Sequence, residues 1–126
     1  MTSIMVINAK GGSGKTTIST NLAAYYAYAD FNVTLVDLDP QNSALNWLSS
    51  RPITKPKIKG VSSLPPQKVS RKLNDVTIFD VPAAIYGPRL ETYIKKARKI
   101  IIPVLPSPID MAAAKDFLKS IRNLGS

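Results

Sequence analysis

The sequence predicts an α/β fold, a mostly parallel β-sheet with helices on both faces, and three observations carry that prediction. Short runs rich in β-branched and other apolar residues recur along the chain, segments with helical spacing alternate with them, and turn-forming residues separate the two. Strands that alternate with helices in this way pair in parallel and are covered on both sides.

The elements follow in order. Ser3 to Asn8 reads as a strand, the Gly-rich segment after it as a loop, and Thr16 to Ala29 as a helix with apolar residues at Ile18, Leu22, Tyr25, Tyr26 and Ala29. Asn32 to Leu38 is a buried-type strand, Ser43 to Ser50 a short helix, Val76 to Phe79 a strand, Leu90 to Ala97 a helix and Lys99 to Val104 a continuous apolar strand. Between Arg51 and Lys72 four prolines interrupt any long periodic element, and seven basic residues occur with no acid. That stretch is expected to be a surface excursion between two core strands, either a solvated loop or a strip that contacts a polyanion. Asp110 to Leu124 places Met111, Ala114, Phe117, Leu118, Ile121 and Leu124 at helical spacing beside Lys115, Lys119 and Arg122, an amphipathic helix expected to pack on the sheet.

At 126 residues, 44% of them hydrophobic, residues 1–126 are expected to form one domain with a genuine core. The absence of Cys and His excludes disulfides, iron–sulfur clusters, structural zinc and histidine acid–base chemistry, so any metal must be a hard cation held by oxygens. The first residues lack a signal-peptide pattern, and no apolar run reaches the roughly 20 residues of a membrane span, so a soluble, unexported protein is expected. A formal charge of +9 suits a polyanionic partner or an ordinary lysine-rich surface.

Residues 10–17 read KGGSGKTT between the first strand and the first helix. Gly11, Gly12 and Gly14 permit a tight curl whose backbone amides converge on an anion, and the curl opens into a helix whose N-terminus favours negative charge. This is the P-loop pattern with its first Gly replaced by Ala9, and the fold class narrows to a P-loop NTPase. The expected phosphate cradle is Gly11, Gly12, Ser13, Gly14, Lys15, Thr16 and Thr17. Lys15 would reach the β- and γ-phosphates, and the Thr16 hydroxyl would coordinate Mg²⁺. Carboxylates for that ion belong at the ends of neighbouring strands, where VTLVDLDPQ delivers Asp37 and Asp39 and VTIFD delivers Asp80.

With KGGSGKTT at 10–17, DLDPQ at 37–41, IFDVP at 78–82 and IPVLPSPID at 102–110, the sequence resembles the ParA/MinD family of deviant Walker ATPases. Lys10 stands where that family has its signature lysine. The resemblance implies that two ATP-bound subunits meet face to face, with Lys10 reaching the partner's phosphates as an arginine finger does. It implies that Asp39 orients the attacking water, that Asp37 supports magnesium from the same loop, and that Asp80 begins a second switch. The catalytic set is then Lys10, Lys15 and Asp39, the metal set Thr16, Asp37 and Asp80, and the cofactors ATP and Mg²⁺. Where the family has a small polar residue after the acid, this chain has Val81.

The compact partition ATPases of the family match better than the MinD branch, through Asp39, Pro40, Gln41, Ser43, Ala44 and Trp47 and through Pro106 to Asp110. Trp47 packs the first switch or is ordinary core. The branch with cluster-ligating cysteines is excluded. The implied activity is an ATP hydrolase that dimerises on ATP, binds DNA nonspecifically, answers to a stimulating adaptor protein and positions a plasmid, chromosome or protein cargo. It would sit in the cytoplasm on the nucleoid, with no stable membrane association. The alternatives are a truncated or regulatory nucleotide-binding paralogue without turnover and a MinD-like membrane-surface ATPase. Family members are typically longer, so a domain shortened at its C-terminus is expected.

Overall fold

A computed structural model describes residues 2–8, 14–62, 75–82, 85 and 87–125. The chain runs β1 (Thr2–Ile7), α1 (Lys15–Tyr28), β2 (Asn32–Asp37), α2 (Ser43–Ser49), β3 (Ile58–Val61), β4 (Asp75–Val81), α3 (Gly87–Lys96), β5 (Lys99–Ile101) and α4 (Pro108–Gly125). All pairings are parallel, in the order β3-β2-β4-β1-β5. Met5 sits opposite Phe79 on one side and Ile100 on the other, and Asp37 lies beside Asp80.

Strand side chains alternate between two cores. Ile4, Val6, Leu35 and Ile78 pack with Ala23 and Ala27 of α1 and Ala44 of α2. Met5, Ile7, Val36 and Phe79 pack with Leu90 and Tyr93 of α3 and Phe117 of α4. Helices therefore cover both faces, as expected from strands apolar on both sides. From β1 the chain crosses to β2 on one side of β4, and from β4 it crosses to β5 on the far side of β1. This reversal opens a crevice at the carboxyl ends of β1 and β4, the usual ligand position in open α/β sheets. Leu35 is fully buried, so Leu35→Ala is expected to cost about 2–5 kcal/mol in urea unfolding with little change in the denaturant slope.

Four details differ from the sequence expectation. The first is β3, which lies inside the stretch expected to be an excursion without a core strand. It is a four-residue edge strand in which Ile58 is buried, Val61 half-buried and Lys59 and Gly60 exposed, too little apolar surface to register as a strand. Gly60 is needed for packing, since a Cβ there would lie 2.7 Å from Leu48 Cδ1 and 2.8 Å from Leu45 Cδ2 of α2.

The second is α1, which faces the sheet with Ser19, Thr20, Ala23 and Ala27, while Tyr25 is 67% exposed. Small residues bring the helix close to the sheet, and the Ser19 and Thr20 hydroxyls bond back to Lys15 and Thr16 carbonyls, so neither is left unsatisfied. The third is β5, whose pairing with β1 stops at Ile101, leaving Val104 and Leu105 exposed. The fourth is α4, which buries Ala114 and Phe117 but leaves Met111 and Leu118 largely exposed. It starts at Pro108, capped by Ser107: the Asp110 amide donates to Ser107 Oγ at 3.2 Å and the Ser107 hydroxyl donates to the Asp110 carboxylate. The PSPID segment is thus a helix start.

Candidate functional site

The carboxyl ends of β1, β2 and β4 bring Asn8, Asp37 and Asp80 to one place, and α1 begins beside them. Gly14 precedes the helix at φ 80°, a left-handed conformation with open space around its Cβ position, so the backbone angle alone calls for glycine. Ile18 closes the first helical bond onto the Gly14 carbonyl at 3.1 Å.

Lys15 is 6% exposed and cannot keep its ammonium in water. It donates to Asp80 Oδ1 and lies 3.4 Å from Asp39 Oδ2. The Thr16 hydroxyl donates to the other Asp80 oxygen at 3.3 Å. Burial pushes the Asp80 carboxyl above the usual range, the Lys15 hydrogen bond and charge pull it back, and the charge of Asp37 adds to the rise. A raised acid binds its proton more tightly folded than unfolded, so its stabilising contribution is full below the unfolded value of 3.8 and is lost as pH rises through the folded value. The wild type is therefore expected to gain melting temperature relative to Asp80→Asn as pH falls from 7 towards 4. Parallel pH profiles of the two melting curves check the sign.

Asp37 is 1% exposed and works on the backbone. Its Oδ1 accepts the Asp39 amide at 3.0 Å and its Oδ2 accepts the Leu45 amide, in the first turn of α2, at 3.1 Å. It thereby takes the place of an N-cap, since Asn42, at φ 55°, makes no side-chain cap bond. Asp39 Oδ1 accepts the Gln41 amide at 3.0 Å, and the Leu38 amide donates to the Asp80 carbonyl at 2.9 Å, tying this loop to β4. Asp39 therefore hangs over Lys15 from a loop fixed at both ends.

Two carboxylates, Asp39 and Asp80, contact Lys15, Asp80 also takes the Thr16 hydroxyl, and Asp37 lies beside Asp80 in the sheet. Such an oxygen-only, acid-rich set fits a hard divalent cation. Among the described residues no three acids are arranged to hold a metal on their own. Asn8 fits the same reading. It is 3% exposed, and among the described residues its Oδ1 has no hydrogen-bond partner, an unfilled acceptor at the base of the loop. The sequence expectation did not single it out. The available signal was an amide closing an apolar strand directly before a Gly-rich loop.

Lys15 thus contacts Asp39 and Asp80, Thr16 contacts Asp80, and Asp37 supports Asp39 through its backbone amide. Thr17 is exposed on the first turn of α1. Lys10, Gly11, Gly12 and Ser13 lie outside the described residues. Trp47 is half-buried against the α1-side core, with the Arg51 guanidinium 5.3 Å from its ring centre.

The sequence model of the CobQ/CobB/MinD/ParA nucleotide-binding domain matches residues 4–126. The chain belongs to this family. As a ParA/MinD-family domain it has similar relatives of known naming. "Maintenance of carboxysome distribution protein A" of Gloeobacter kilaueensis is 34% identical over 114 residues, 86% of this chain and 51% of that protein. The protein of the same name from Halothiobacillus neapolitanus is 32% identical over 126 residues, 95% of this chain and 58% of its own length. "Chromosome-partitioning ATPase Soj" of Thermus thermophilus is 54% identical over 48 residues, 38% of this chain and 19% of that protein. The chain spans about half the length of the first two relatives. Among the described residues no helix is long and apolar enough to cross a membrane.

Proposed function

We propose that this ParA/MinD-family domain is an ATP hydrolase of the positioning type: it dimerises on ATP, binds DNA nonspecifically in that state and is released by hydrolysis. The observation that carries the reading is the contact of Lys15 with Asp39 and Asp80 at the mouth of a Gly-rich loop. The Lys15 ammonium sits between these two acids. A bound triphosphate offers it competing oxygens, so Lys15 turns to the phosphates and Asp39 and Asp80 are freed together.

In this reading Thr16 and Asp80 hold the magnesium ion, whose chemistry is neutralisation of phosphate charge. Gly11, Gly12, Ser13, Gly14 and Thr17 contribute the cradle. Asp37 keeps the loop of Asp39 in place through its two backbone amides. Asp39 orients the attacking water, and Lys10 reaches the phosphates of the second subunit. Val81 continues β4 and is fully buried, so the turn towards the γ-phosphate starts only after it.

The cargo is proposed to be a protein assembly, because the relatives that align along most of this chain are named for carboxysome distribution, whereas Soj aligns over a shorter stretch. A partner protein stimulates turnover, and the protein works in the cytoplasm on the nucleoid. A second reading is nucleotide binding without turnover. Phosphate release and sedimentation velocity with ATP and Mg²⁺ separate the two. Turnover with a shift from monomer to dimer supports the first. Tight ATP binding with neither effect supports the second.

A further inference from the structure

We propose that the DNA-contacting surface lies at the α2–β3 connection, on the end of the sheet opposite the phosphate site, and that Lys55, Lys57 and Lys59 bind backbone phosphates there. The inference rests on the DNA-binding reading above and assigns it a place. α1 leads from Lys15 to Tyr28, about 20 Å at a helical rise of 1.5 Å per residue. Ile58 pairs with Val33 at the start of β2, which puts Lys55 and Lys57 at that same far end.

The connection is organised by Arg51. Its guanidinium lies 5.3 Å from the Trp47 ring centre and 5.9 Å from that of Tyr28, and its Nε and Nη2 both donate to the Pro56 carbonyl, at 3.1 and 3.0 Å. Aromatic contact and a forked bond fix a loop that its prolines already stiffen. A hollow of about 270 Å³ remains between Leu48, Ile58 and this loop, with Arg51, Lys55 and Lys57 on its wall. Lys55 Nζ lies 5.9 Å from the Tyr28 ring centre, and Lys55, Lys57 and Lys59 are all exposed. Among the described residues none of the three forms an ion pair with a carboxylate.

Charge composition points to the occupant. Between Asp39 and Asp75 the sequence has no acid, so nothing within this stretch competes with phosphate for these cations. No base-reading motif accompanies them, which suits a sequence-independent backbone contact. One fully exposed aliphatic residue, Ile53, is too little apolar surface for a bilayer anchor. A dimer closing over the phosphate site leaves this far end open on both subunits.

The test is fluorescence anisotropy on a duplex of arbitrary sequence with ATP and Mg²⁺ over a salt series. It compares the wild type, Lys57→Gln, the triple variant Lys55→Gln/Lys57→Gln/Lys59→Gln, and a control triple Lys99→Gln/Lys115→Gln/Lys119→Gln of equal charge loss; melting temperature checks each fold. Lys57→Gln is expected to lower the salt slope by roughly 1 per protomer and the patch triple by roughly 2 to 3, with at least about a tenfold loss of affinity, while the control triple stays near wild type. Equal losses in both triples, or an unchanged patch triple, overturn this surface and leave the DNA-binding reading standing. A wild type that binds no DNA in any nucleotide state overturns both. Patch-dependent binding to vesicles of anionic phospholipid in preference to DNA assigns the surface to a membrane and also overturns the proposal.

Discussion

Lys10→Ala is expected to lower ATP turnover by ~10³-fold or more while ATP binding stays within a few-fold of wild type. The asymmetry follows from what each lysine does. Lys15 is buried among Asp39 and Asp80 and is proposed as the ground-state phosphate ligand of its own subunit. Lys10 stands at the start of the loop, five residues earlier, and is proposed to act across the dimer on charge that develops only as the phosphoryl group transfers. A cation used only in the transition state affects rate and not affinity. Phosphate release at saturating ATP, beside equilibrium binding of a fluorescent ATP analogue, separates the two. Turnover within about threefold of wild type would make Lys10 a solvated loop residue.

Asp39→Ala is expected to trap the ATP form: turnover falls by about 10²–10⁴-fold, the range for loss of a positioned general base, and the variant stays dimeric and DNA-bound after ATP addition. The geometry makes this a clean test. Asp39 is held by a turn to Gln41 and by the Asp37 carboxylate below it, so the loop keeps its Asp37 bonds to the backbone when the Asp39 side chain is removed. Lys15 retains Asp80 as its partner. The stability cost should be small, and the loss should appear in chemistry. If Asp39→Ala bound DNA no better with ATP than without, an ATP-driven switch would be the wrong account.

The parts of this molecule that could be read from sequence are those in which one local pattern dictates one structure. Apolar β-branched runs that alternate with helical segments dictate a parallel sheet. The acids at strand ends were legible for the same reason, because Asp37 and Asp80 each close such a run.

What escaped depends on contacts remote in sequence or on surfaces too small to leave a pattern. Strand β3 has one buried residue, Ile58, and is created by the free edge of β2. The inward face of α1 is built of Ser and Ala, so hydropathy pointed to Tyr25, which stands in solvent. The bond from Leu45 to Asp37 spans eight residues and replaces a cap that the residue before α2 does not supply, something no spacing rule anticipates. Asn8 was legible in kind, as a lone amide ending an apolar strand, but its missing partner shows only in three dimensions.

The most direct test is DNA binding by the purified chain over several salt concentrations with no nucleotide, with ADP, and with ATP plus Mg²⁺. Binding confined to ATP with Mg²⁺ and weakening steeply with salt, at roughly 0.9 in slope per phosphate neutralised, is the predicted result. Equal binding in all three states, or nucleotide binding with no DNA binding in any of them, would contradict the ATP-driven switch.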